Sequence, residues 1–249
     1  MKIDLENKIA LVARGNDDIG RAICAQLAES GASVIGLVAE LDELEQSRIH
    51  FEKTRLDIDI CHADITNFTS CEKVIEEIES RLGKIDFVIN NAESPSDIEI
   101  TKMSEQSWHE CLQVNLHSAY NLCRMLSERM SERGFGRIVN ISSMYGRKGE
   151  SGKSAFAASK FGLHGFTMAL AQELARKGVT VNTVSPGQIN VNELENKTET
   201  EINNIIAEIP ASRLGKVEEV ASLVDFLCSN QAGFITGTDI AINGGQYIH

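Results

Sequence analysis

The sequence predicts an α/β protein in which helices cover both faces of a parallel sheet, and three observations carry that expectation. Short apolar runs recur along the chain, and amphipathic stretches of helical length separate them. Strands buried on both faces read as continuous apolar runs, and a parallel neighbour can be reached only by a crossover, usually a helix. The composition agrees, with 249 residues, 42% hydrophobic, 24% charged and three prolines. That is the make-up of a globule with a substantial core, and residues 1–249 read as a single domain.

Ile9 to Ala13 is the first apolar run, and after a polar turn Ile19, Ala22, Ile23, Leu27 and Ala28 recur at helical spacing. Ser33 to Ala39, Ile58 to Ala63, Ile85 to Asn90, Gly136 to Ser142 and Val179 to Val184 read as further strands. Ile240 to Ile242, after a turn at Gly237, makes a seventh. Helical patterns stand out over Cys71 to Leu82, Glu105 to Met130 and Ala155 to Lys177. In an open parallel sheet ligands bind beyond the carboxyl ends of the strands, here the turns after Ala13, Ala39, Ala63, Asn90, Ser142 and Val184. The polar stretch from Gln188 to Glu208 follows a strand end and is expected to form a mobile lid.

A formal charge of −12 argues against nucleic acid or an anionic membrane as partner, because binding there would release no net counterions. The amino terminus lacks the basic flank and apolar stretch of a signal peptide, and no run is long enough to span a bilayer. Six cysteines are scattered without a close pair, so no metal site is expected and reduced thiols in the cytoplasm are.

Six motifs in order carry a more specific message. Asn90-Asn91-Ala92 follows the fourth strand, Val114-Asn115-Leu116 lies in the long helix, and Gly136 to Ser143 reads GRIVNISS. Ala158-Ser159-Lys160, Ser185-Pro186-Gly187 and Ile242-Asn243-Gly244-Gly245 complete the set. Together they resemble the short-chain dehydrogenase/reductase family over essentially the whole chain. The runs GLHGFTMALAQE from Gly162 and GVTVNTVSPG from Gly178 are most similar to acetoacetyl-CoA reductases, relatives of 3-oxoacyl-ACP reductases. The resemblance implies a Rossmann-like, doubly wound, seven-stranded sheet and an NAD or NADP cofactor. It also implies a homo-oligomer, tetramer or dimer, assembled through the long helices.

In that family a nicotinamide hydride goes to a carbonyl while a tyrosine gives the oxygen its proton. A lysine four residues later lowers the tyrosine pKa and holds the nicotinamide ribose, a serine bonds the carbonyl, and an asparagine anchors a proton-relay water. These roles fall on Lys160, Ser143 and Asn115, but the tyrosine position is Phe156. A phenyl ring donates no proton, and a lost general acid costs ~10²- to 10⁴-fold in rate. Tyr145 is the only nearby phenol, two residues past Ser143.

The cofactor residues that the resemblance implies are Gly15, Ile19, Gly20, Asp64, Ile65, Asn91, Ala92, Pro186, Gly187 and Ile189. Several neighbours depart from the pattern. The family's first turn runs Thr-Gly-x-x-x-Gly-x-Gly, so that the backbone can approach a diphosphate at a helix start. Here Arg14 and Asp18 replace the first two glycines and only Gly20 is in register. Asp18 is expected to bring a carboxylate toward the diphosphate. Alternatively Arg14 meets the phosphates, Gly15 rescues the turn by a one-residue shift, or Asp17 or Asp18 caps the helix in the absence of an anion. Glu93 stands in place of a ribose-facing glycine and Val191 in place of a carboxamide-binding threonine. Neither an Asp near Val38 nor an Arg near Ala39 selects NAD or NADP, and Glu40 lies nearby.

Three functions follow as expectations. The first is a pseudoenzyme with hydride transfer lost or severely impaired and a structural role, including that of a subunit in a hetero-oligomer with an active paralogue. The second is an active acetoacetyl-CoA reductase with an altered proton donor. The third is a non-catalytic nucleotide or acyl-CoA binding module.

Overall fold

The computed structural model describes residues 3–248, apart from the side chains of Glu193 and Glu195. The chain runs β1 (Ile9–Ala13), α1 (Asp18–Glu29), β2 (Ser33–Val38), α2 (Leu41–Glu52), β3 (Ile58–His62), α3 (Phe68–Arg81) and β4 (Phe87–Asn90). It continues with α4 (Glu105–Leu112), a π-helical turn (Gln113–His117), α5 (Ser118–Arg133), β5 (Gly136–Ile141), α6 (Tyr145–Lys148) and α7 (Ser154–Leu174). Beyond these lie β6 (Val179–Pro186), a 3₁₀ turn (Asn192–Asn196), α8 (Glu199–Ala207), α9 (Val217–Cys228) and β7 (Asp239–Ile242). The strand order is β3-β2-β1-β4-β5-β6-β7, and every pairing is parallel. This is the expected doubly wound, seven-stranded sheet.

Alternation along each strand divides the core between two layers. Leu11 and Ala13 of β1 face one side with Ile75, Leu122, Leu126 and Leu174 from α3, α5 and α7. Ala10 and Val12 face the other with Ile23, Leu27, Val220 and Val224 from α1 and α9. The strand order reverses between β1 and β4, which opens a crevice at their carboxyl ends. Glycine is demanded where layers touch: a Cβ on Gly15 would lie 2.7 Å from the Gly36 Cα, so Gly15 serves the packing of the first turn on β2.

Two expectations about elements need correction, and a third segment gains detail. The stretch from Glu105 to Met130 is not one helix, because a π turn over Gln113–His117 interrupts it. The second helical stretch begins at Ser154 and passes into a 3₁₀ turn at Ala175–Lys177, while β6 extends two residues beyond Val184. The segment after Gln188 has a defined course, with a 3₁₀ turn and α8, the latter opened by a capping box between Thr198 and Glu201.

Candidate active site

The sheet brings Asn115, Ser143, Phe156 and Lys160 to the crevice side of β4 and β5, where Ser143 and Phe156 line a cavity of about 460 Å³. Asn115 sits within the π turn, which turns its amide out of the helix toward the chain after β4. Its Oδ1 accepts from the Ser94 N–H at 2.6 Å, and its Nδ2 donates to the Ser94 carbonyl at 3.1 Å and to Ser159 Oγ at 2.9 Å. All of these partners are protein groups, so the amide is already engaged in holding the loop. Ser143 Oγ accepts from the Tyr145 N–H at 3.3 Å. Its neighbour Ser142 points the other way, 2.7 Å from His164 Nε2, in a buried group where Asp239 also meets Ser185 and Arg147.

Phe156 is 5% exposed and belongs to a small apolar cluster with Cys111 and Ala155, flanked by Met103, Trp108 and Tyr145. Lys160 is 1% exposed. Its ammonium donates to the carbonyls of Ile141 (3.1 Å) and Ala92 (3.4 Å) and lies 5.6 Å from the Phe156 ring centroid. A buried ammonium needs a counter-charge, and Glu93 supplies it, with Oε2 3.4 Å from Lys160 Nζ. Tyr145 lines the same cavity. Burial and the adjacent Glu150 charge push its pKa up to about 12, against a partly offsetting bond from Gln188 Nε2 at 2.9 Å. A phenol so raised is a weaker acid than an ordinary tyrosine.

The first turn is self-contained as well. Arg14 has a positive φ of 51°, the left-handed conformation that a glycine would take without strain. Its guanidinium, at the rim of the crevice, donates to the Glu93 carbonyl and lies 3.3 Å from Asp17 Oδ2. Asp17 is the residue that caps α1, accepting from the Gly20 N–H at 2.7 Å. Burial raises the Asp17 pKa, opposed by the Gly20 bond and Arg14. Asn91 Nδ2 donates to Asp17 Oδ1 at 3.0 Å and to the Arg14 carbonyl at 3.3 Å. A Cβ on Gly20 would collide with the Arg14 carbonyl, so Gly20 has a packing reason of its own.

Asp18 lines the crevice, and its carboxylate accepts from Asn192 N and Nδ2, both at 2.7 Å. Asn192 carried no signal in the sequence, since only the fold brings residues 174 positions apart into contact.

The remaining expected cofactor residues have structural partners. Asp64 Oδ1 accepts from Thr66 N and Oγ1, while Asn121 Nδ2 holds the carbonyl of buried Ile65. The carbonyl of Pro186 accepts from Met144 N, Gly187 N donates to the Ile242 carbonyl, and Ile189 bridges to Gly215. Ile19 and Val191 line the crevice, with Ala92 beside it and buried. Glu40 precedes α2 with its side chain exposed and makes no capping bond. Among the described residues no group of three or more His, Cys, Asp or Glu is placed to hold a metal, and no helix is long and apolar enough to cross a membrane.

Ser143 lines a crevice at the switch point of a doubly wound sheet, the place where open α/β proteins bind their ligands, with Lys160 and the π-turn Asn115 buried near it. The chain belongs to the short-chain dehydrogenase/reductase family: the profile described as Enoyl-(Acyl carrier protein) reductase matches residues 13–246. It is 38% identical over 247 residues to an acetoacetyl-CoA reductase of Allochromatium vinosum, covering 97% of this chain and 99% of that one. It is 36% identical over 244 residues to a 3-oxoacyl-[acyl-carrier-protein] reductase of Haemophilus influenzae, covering 98% and 100%. A crystal structure of a proposed gluconate dehydrogenase from Agrobacterium tumefaciens shares the fold, with a TM-score of 0.93 at 24% identity, covering 99% of this chain and 98% of that one.

The family is one of nicotinamide-dependent reductases, and the groups in this crevice do not fit such a cofactor. The lysine that would hold a ribose is paired with Glu93, the cation that would meet a diphosphate is turned onto Asp17 and the Glu93 carbonyl, and the α1 start carries two carboxylates. Three carboxylates, Asp17, Asp18 and Glu93, stand against two cations, and each charge already has a protein partner.

Proposed function

We propose that this chain is a pseudoenzyme of the acetoacetyl-CoA and 3-oxoacyl reductase branch, with hydride transfer lost or severely impaired. The observation that carries the reading is the Glu93–Lys160 ion pair beside Phe156. It engages the ammonium to which the family gives the ribose and the tyrosine, next to a ring that has no proton to give. Asn115 and Ser143 remain as structural elements of the crevice wall, bonded to the protein's own backbone.

The role left to such a chain is that of a structural or partner subunit. The α5 and α7 surfaces, which family resemblance assigns to assembly, expose Tyr120, Phe161 and Met168 at 44%, 53% and 50%. A homotetramer or dimer, or a hetero-oligomer with an active paralogue in the cytoplasm, would cover them. Calorimetric titration with NADH and NADPH, followed by an acetoacetyl-CoA reduction assay, tests the proposal. We expect neither micromolar binding nor turnover. Turnover would show that the chain is an active reductase with an altered donor, and binding without turnover would show a crevice that takes a nucleotide without chemistry.

A further inference from the structure

The turn that starts α1 and the segment after β6 belong to distant parts of the chain, yet Asp18 joins them with both carboxylate oxygens. Oδ2 accepts from the Asn192 backbone N–H and Oδ1 from its side-chain amide, each at 2.7 Å. Asp18 is not needed by its own helix, because Asp17 already accepts from Gly20 N. It is nevertheless well placed there, since a negative group in the first helical turn is favoured by the unpaired N–H groups and the helix dipole.

The far partner is equally well set. Asn192 opens the 3₁₀ turn Asn192–Asn196, and the buried Leu194 side chain from that turn lines the same cavity as Asp18, Ser143 and Phe156. Asn190 N donates to the Gly215 carbonyl on one side, and the Thr198 capping box starts α8 on the other. The segment is therefore anchored at both ends and clasped in the middle.

We propose that Asp18 is a built-in anion that latches residues 191–197 at the rim of the crevice and sets how far that rim can open. It rests on the reading of the crevice as one that takes no dinucleotide, and it names the regulation of that same site. The carboxylate occupies the anion-favouring start of α1 and spends both oxygens on the covering segment.

Hydrogen exchange read by mass spectrometry on the full-length chain tests this directly, because the Asn192 amide is itself a donor in the latch. Bonds to a charged acceptor of this kind correspond to about tenfold or more in an opening equilibrium. In Asp18→Ala, exchange over residues 191–197 is expected to accelerate by about that factor while β5 and α9 stay unchanged. Asn192→Ala, which removes only the side-chain bond, should accelerate it less, and it keeps the test open if Asp18→Ala does not fold. Exchange over 191–197 that is the same in both variants as in the unmodified protein overturns the latch. Titration of the unmodified protein with NADPH separates the two ideas. Micromolar binding together with faster exchange in Asp18→Ala sinks the sealed-crevice reading and leaves the latch standing, whereas no binding with unchanged exchange sinks the latch alone.

Discussion

Restoring the missing phenol should not restore chemistry, and the structure says by how much it falls short. Phe156→Tyr places a hydroxyl in a small apolar cluster beside Lys160, whose ammonium already faces Glu93 Oε2 at 3.4 Å. At an effective dielectric of 20 the gross attraction across that distance is about 5 kcal/mol. Glu93 is 41% exposed at its side chain while Lys160 is 1% exposed, so water screens one partner only. A net value of about 1–2 kcal/mol is reasonable between the surface and buried limits, roughly a tenfold bias toward the pair over any competitor. A new phenol would therefore meet an ammonium that is spoken for, above a first turn that still carries Arg14 and Asp18. In a coupled spectrophotometric assay with acetoacetyl-CoA and NADPH, Phe156→Tyr is expected to show no turnover above background. Combining it with Arg14→Gly, Asp18→Gly and Glu93→Gly should recover cofactor binding by calorimetry first and turnover second, since binding precedes transfer. Substantial reduction by the unmodified protein, or by Phe156→Tyr alone, would refute the reasoning.

Three further outcomes are expected. Glu93→Gln should lower the free energy of unfolding by about 1–2 kcal/mol in urea titrations, because it leaves the buried Lys160 ammonium with two carbonyl acceptors and no counter-charge; an unchanged midpoint would show the pair to be worthless. Asn115→Ala should cost about 2–3 kcal/mol by the same measurement, as it strands the Ser94 N–H and carbonyl that the amide now satisfies; a loss below 0.5 kcal/mol would mean that water replaces the amide freely. Burial works against the Glu79 carboxylate, but bonds from Arg129 and the Ile85 N–H, with the charges of Arg129 and Lys84, outweigh it and hold its pKa below the ordinary 4.5. A depressed carboxylate stabilises the fold fully above the unfolded value and loses that contribution as pH falls through the folded one. The stability gap between the unmodified protein and Glu79→Gln should therefore be constant from pH 7 to about 5 and close below 4.5; a gap that persists at pH 3 would argue against the linkage.

The sequence by itself determined the parallel sheet, because strands buried on both faces read as apolar runs, as Ile9–Ala13 and Ser33–Val38 do. It also determined where the site departs from the family's residues, since a phenylalanine at 156 and charged residues at 14, 18 and 93 are matters of identity, not of placement. The π turn was not legible. Whether a helix takes an extra residue per turn depends on what its side chains find outside it, and Asn115 finds Ser94 only once β4 has been laid down. The directions of the substituted charges were equally hidden. Nothing in the sequence signalled that Asp18 bonds Asn192, or that Arg14, itself partly in solvent, meets Asp17 and the Glu93 carbonyl. A charged side chain takes whichever partner the packed backbone leaves within reach, and that choice belongs to the tertiary structure.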